Sequence, residues 1–150
     1  MTYPTTTIAW AVAQQVATLI DAKTAANGAT VSAAWPGDKF IKAEMIVVEE
    51  LKASEVRIPV SQAGRKQRDE TIEFVVKCYV AGKRTADAAM DRASELVSAV
   101  QDVFADDPSL ATEGVVLAEI GSYSFDYGEL SEGGWMVVAS VPCSVRIRLH

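Results

Sequence analysis

The chain has 150 residues, 49% of them hydrophobic and 23% charged, with a formal net charge of −6. That size fits one domain over residues 1–150, with a core that needs no metal or disulfide staple, and the composition is too apolar for disorder. The acidic balance argues against a general nucleic-acid binder, because phosphate contacts need clustered Lys and Arg.

The amino end shows no basic region followed by an apolar run, and no stretch approaches a membrane span, so a soluble, cytosol-made protein is expected. Thr5, Thr6 and Thr7 offer caps for a first helix, in which Ile8, Val12, Val16, Leu19 and Ile20 share one face. Ala26-Asn27-Gly28 predicts its end, since Asn and Gly tolerate a left-handed stop.

Thr30 to Trp35 reads as a short strand broken by the turn Trp35-Pro36-Gly37-Asp38, with Trp35 expected to close one end of the core. Met45 to Leu51 reads as a second strand with an acidic end at Glu49-Glu50, whose carboxylates read as solvated charges. Glu55 to Val60 reads as a third, and Pro59 places it at an edge.

The most informative stretch follows. Gly64-Arg65-Lys66-Gln67-Arg68-Asp69-Glu70 reads as a charged loop tip, unable to pack in a core, that serves as a solvated hairpin or as an arm touching a partner. It runs into a strand in which Ile72, Phe74, Val76, Cys78 and Val80 share one face. Gly82-Lys83-Arg84 turns the chain into a second helix opened by Thr85 and Asp87. Ala86, Met90, Ala93, Val97, Val100 and Phe104 form its stripe, widened by Leu96 and Val103, and Asp106-Asp107-Pro108 ends it.

Val115 to Tyr127 reads as one strand bent at Gly121, with Tyr123, Phe125 and Tyr127 alternating along it. Together with Trp10 and Trp135 these aromatics read as core or subunit-interface material. Gly128 to Gly134 is an acidic turn carrying Glu129 and Glu132, and Trp135 to Leu149 returns as a long strand. Helices with one apolar stripe and strands with one apolar face predict an α+β two-layer sandwich: a mostly antiparallel or mixed sheet with both helices on one face. Lys77, Tyr79, Arg146 and Arg148 are expected on the opposite face.

Residues suited to chemistry are sparse. The only histidine is the terminal His150, a poor site for a general base. Cys78 and Cys143 read as buried thiols without metal-ligand spacing, and a disulfide between them cannot be placed from sequence. No phosphate-binding glycine motif is present.

Taken together, the opening helix, Trp35-Pro36-Gly37-Asp38, the segment Gly64 to Thr71, the helix with Asp87, Ala88, Ala89, Arg92 and Leu96, and Asp107-Pro108-Ser109-Leu110 resemble tail terminator and tail-completion proteins of long-tailed bacteriophages. The resemblance covers nearly the whole chain and rests on short motifs. It implies a virion protein, assembled in the host cytoplasm, whose copies form a ring, a hexamer in that family. The ring caps the head-proximal end of the tail tube and joins it to the head–tail connector.

By that resemblance no cofactor or catalysis is expected. DNA would pass through the lumen without specific binding, since six copies at −6 carry about −36. The contact residues it implies are Gly64, Arg65, Lys66, Gln67, Arg68 and Asp69 in the loop, then Glu129 and Glu132 in the acidic turn. A connector or stopper component is the neighbouring reading. An enzyme or ligand-binding domain with a cleft on the polar sheet face is the reading from another class.

Overall fold

A computed structural model describes residues 7–35, 44–57 and 68–149. The elements, in order, are α1 (Ala9–Asp21), β1 (Thr30–Ser32), β2 (Glu44–Arg57), β3 (Arg68–Lys83), α2 (Ala86–Asp106), β4 (Val115–Ile120), β5 (Ser124–Glu129) and β6 (Trp135–Leu149). The sheet order is β1-β2-β3-β6-β4, and β5 pairs with β6 beyond β4. Among the described residues β1 runs parallel to β2, and the other pairings are antiparallel. This is the α+β two-layer fold that the periodicities predict.

The long β3–β6 ladder is its spine, running from Arg68↔Leu149 to Lys83↔Trp135. Ile72, Phe74, Val76, Cys78 and Val80 meet Val145, Cys143, Val141, Ala139 and Val137 in turn, and all are buried on one face. Val12, Ala13, Val16 and Ile20 of α1 pack over that face, with Ala89, Ala93, Leu96, Val97, Val100 and Phe104 of α2. Both helices therefore lie on one side, as their single apolar stripes require.

Thr85 caps α2 by accepting from the Ala88 N–H at 3.1 Å, and Asp87 lies in the first turn. Beyond α2, the Asp107 carboxylate accepts from the backbone N–H of Ser109 and of Ala111. Those contacts hold Leu110 and Ala111 at φ 52° and 48° and deliver the Leu110 side chain, fully buried, into the core.

Four local features differ from the expected pattern. First, α1 stops at Asp21 instead of running to Asn27, and a 3₁₀ turn spans Thr24–Ala26. The physical reason is Arg92 of α2, whose guanidinium donates to the carbonyls of Ala25 (3.0 Å) and Asn27 (2.7 Å) and to the Glu44 carboxylate (2.6 Å). Carbonyls turned toward a cation are not available to continue a helix.

Second, the two strands expected over Met45–Leu51 and from Glu55 onward are one strand, β2, with a bulge between Glu49 and Lys52. Glu50 adopts φ 54° there. The extra residue resets the alternation, so each half carries its own phase and reads as a separate strand. Residues 58–60 of the expected third strand lie outside the described residues.

Third, the bent strand expected over Val115–Tyr127 is divided into β4 and β5, both on the same edge of β6. The break falls opposite Pro142. Its carbonyl accepts from Gly121 N–H at 2.8 Å, yet proline has no N–H to return on that side. One missing donor interrupts the ladder.

Fourth, β3 runs to Lys83 with a bulge at Gly82, where a turn was expected. Gly134 crosses close beside it: at φ 92°, an added Cβ would sit 3.3 Å from the Gly82 Cα. Both conformation and space require glycine at 134.

Candidate interaction surface

The sheet face away from the helices carries Lys77, Tyr79, Arg146 and Arg148, as their phase predicts, but it is not uniformly polar. Met45 and Val47 are buried on it. Tyr79 donates its hydroxyl to Glu49 at 2.7 Å, with Lys77 Nζ 3.9 Å from the same carboxylate. Burial first, and then the Glu49 charge, push the Tyr79 hydroxyl well above its ordinary range. Glu49 is thus a partnered mid-strand carboxylate, in contrast to the solvated strand end expected. Trp35 meets Tyr79 edge-on, with ring centroids 5.8 Å apart, and stays 48% exposed, so it flanks this face and does not close the core.

The larger correction concerns the charged segment. Gly64, Arg65, Lys66 and Gln67 lie outside the described residues. Arg68, Asp69 and Glu70 belong to β3, not to a loop tip. Asp69 is fully buried, accepting from Arg146 Nε at 2.8 Å and from Arg148 Nε at 3.1 Å. Burial pulls its carboxyl upward, but the two guanidinium groups outweigh that and hold it below the ordinary value.

Glu70 points to the helix face, also buried, and accepts from the Thr7 hydroxyl at 2.8 Å. That hydroxyl in turn accepts from Ala9 N–H at the start of α1. The two acids are structural clamps. Cross-strand arginines lie 77 and 79 positions away in sequence, so a local reading assigns Asp69 and Glu70 to solvent.

Glu129 ends β5, and Glu132 lies in the following turn, which is closed by Gly133 N–H to Leu130 carbonyl at 3.0 Å. Both are exposed. The structure does not bring them near Arg68 and Asp69. They sit beside the Lys83↔Trp135 end of the spine, while Arg68 and Asp69 sit at the other. Fourteen residues of strand separate the two ends, about 45 Å. Of the described candidate contact residues, Arg68 and the buried Asp69 therefore lie far from the exposed Glu129 and Glu132.

Sequence reading missed the open edge between them. β4 and β5 bond to β6 on one side and to no other strand among the described residues. Val116 and Leu117 of β4 and Tyr127 of β5 are exposed along that edge, with Tyr123 between the strands. Tyr127 leans on Trp135 at 6.3 Å and Tyr123 on Phe125 at 5.9 Å, so the expected core role holds only for the half-buried Phe125 and Trp135. Trp10, half exposed on α1, is not core either.

Next to β4, a groove of about 380 Å³ opens at the β2 bulge, with Val75 and Pro142 along it and Glu50, Glu73 and Glu119 around it. Lys52 pairs with Glu73 at 3.7 Å. Its position depends on the bulge and on the Pro142 break, neither of which is visible as a motif.

Among the described residues no helix is long and apolar enough to cross a membrane, and no group of three His, Cys, Asp or Glu side chains could hold a metal. Cys78 and Cys143 are separate buried thiols, both pushed up to about 12 by burial. No family model and no curated protein matches this chain.

Proposed function

We propose that this chain is a tail terminator: a virion protein whose copies close into a ring, cap the head-proximal end of a phage tail tube and join it to the head–tail connector. The observation that supports this most is the open β4–β5 edge with Val116, Leu117 and Tyr127 exposed. Unpaired strand edges with apolar side chains are adhesive, and a protein that keeps one is served by a partner that covers it.

Unlike ends of the spine, with Arg68 partly exposed at one and Glu129 and Glu132 exposed at the other, also suit a head-to-tail interface, which closes into a ring when its rotation divides a full turn. In this reading the protein works by shape and contact, without catalysis or a cofactor. The sequence-wide excess of carboxylates keeps passing DNA from sticking.

The test is electron microscopy and light scattering of the purified protein, followed by its addition to tail tubes of the same virus. Rings of defined mass that bind one tube end and stop elongation are expected. A strictly monomeric protein that leaves tubes growing would overturn the proposal. Rings that bind the connector but not tubes would transfer the assignment to a connector or stopper.

A further inference from the structure

The chain holds a single asparagine, Asn27, and glycine follows it. That pair is chemically labile, because glycine has no side chain to shield its own nitrogen. The nitrogen of Gly28 gives its proton to hydroxide and bonds to the Asn27 side-chain carbonyl carbon. The side-chain nitrogen takes a proton from water and leaves as ammonia, closing a cyclic imide. Water then opens the imide at either carbonyl, giving aspartate or isoaspartate at that position.

Both reacting groups are at hand. Asn27 and Gly28 are exposed, and neither the Asn27 side-chain amide nor the Gly28 N–H makes a hydrogen bond among the described residues. Glycine is required there, since the turn holds it at φ 90°. The turn thus demands the residue that makes its asparagine labile.

What the fold withholds is geometry. A planar imide needs the Asn27 Cβ and the Gly28 nitrogen eclipsed about the Asn27 Cα–C bond, and at ψ 132° they are far from eclipsed. Rotation toward closure carries the Asn27 carbonyl with it, and that carbonyl accepts from Arg92 Nη2 at 2.7 Å. Flanking bonds resist the same rotation: Asn27 N–H donates to the Thr24 carbonyl at 3.1 Å and Ala29 N–H to the Ala26 carbonyl at 3.0 Å. Arg92 is itself anchored, through Nε to Glu44 at 2.6 Å and through Nη1 to Glu95 at 2.8 Å.

We infer that Asn27-Gly28 is a deamidation site that Arg92 keeps closed, so that conversion takes place only when the turn opens. The change runs one way. Isoaspartate adds a methylene to the main chain and displaces the carbonyl that Arg92 holds, so a converted chain refolds without that bond. Openings of the turn therefore accumulate as covalently altered protein, with or without ring assembly.

Incubation of the full chain in mildly alkaline buffer tests this, with peptide mapping that separates asparagine, aspartate and isoaspartate. Opening the turn breaks a charge-assisted hydrogen bond, so the folded wild type should convert about 10-fold or more slowly than the same chain in urea. Folded Arg92→Ala should convert about 10-fold faster than folded wild type, and in urea the two should match. If Arg92→Ala does not fold, Arg92→Lys, which loses the planar fork, takes its place.

Phe74→Leu, a core change on β3, controls for general loss of stability and should leave the folded rate near that of wild type. Three results would each overturn the role of Arg92. They are a folded wild type as fast as in urea, an Arg92 variant no faster than wild type, and Phe74→Leu as fast as the Arg92 variant.

Discussion

Asp69 and Arg148 are direct partners across the β3–β6 ladder, and Arg148 donates its Nε–H to Asp69 Oδ1 at 3.1 Å while Arg146 takes the other oxygen. A fully buried carboxylate is thereby held by two arginines that are 34% and 43% exposed. The clamp fixes the end of the spine from which the chain leaves toward residues 58–67.

The clamp has a pH signature. The Asp69 carboxyl titrates below its ordinary value of 3.8 in the folded state, so the folded protein binds fewer protons than the unfolded chain in acid. Its contribution is intact above about pH 4 and disappears as pH falls through the folded value. Asp69→Asn should lower stability at neutral pH by about 1.5–3 kcal/mol and remove that part of the acid slope. Urea unfolding at pH 7 and at stepwise lower pH checks both. An unchanged slope in the variant would place the proton uptake elsewhere.

Arg92 ties α2 to β2 and to the turn after α1 through Glu44, Ala25 and Asn27. Lysine keeps the charge but cannot reach three acceptors in one plane. Arg92→Lys should cost about 1–3 kcal/mol in chemical denaturation, with most of the loss absent when Glu44 is already Gln.

Phe74 lies under the helices, 2% exposed, at the level of the β2 bulge. Phe74→Ala should destabilise by about 3–5 kcal/mol without altering the outer sheet face. Calorimetry measures the loss, and a near-neutral result would contradict the core assignment.

Cys78 and Cys143 are buried and protonated, each with a thiol pushed up to about 12. The thiolate is the reactive form, so neither should react with an aromatic disulfide reagent at pH 8 in the folded protein. Labelling should follow the unfolding rate measured by fluorescence. Fast labelling of the native protein would show that the β3–β6 core opens locally.

The layer architecture was legible because burial against one partner leaves a period in the sequence. The stripe of α2 and the alternations of Ile72–Val80 and Trp135–Leu149 reported both helices, the spine and the face they share. The cap at Thr85 and the end of α2 at Asp106 were legible for a similar local reason, since the groups that satisfy a helix end lie within a few residues of it.

Features that depend on distant chain were not legible. Asp69 and Glu70 look like loop-tip charges until Arg146, Arg148 and Thr7 are brought to them across the sheet. Glu49 looks like a solvated strand end until Tyr79 arrives beside it. The β2 bulge, the division at Pro142 and the groove between them exist only where the four strands β2, β3, β6 and β4 are in register. Side-chain period is set by each residue's immediate neighbours, so sequence determined which faces are apolar. Pairing of buried charge and the shape of an open edge are set by which strands lie next to each other, and only the folded chain decided those.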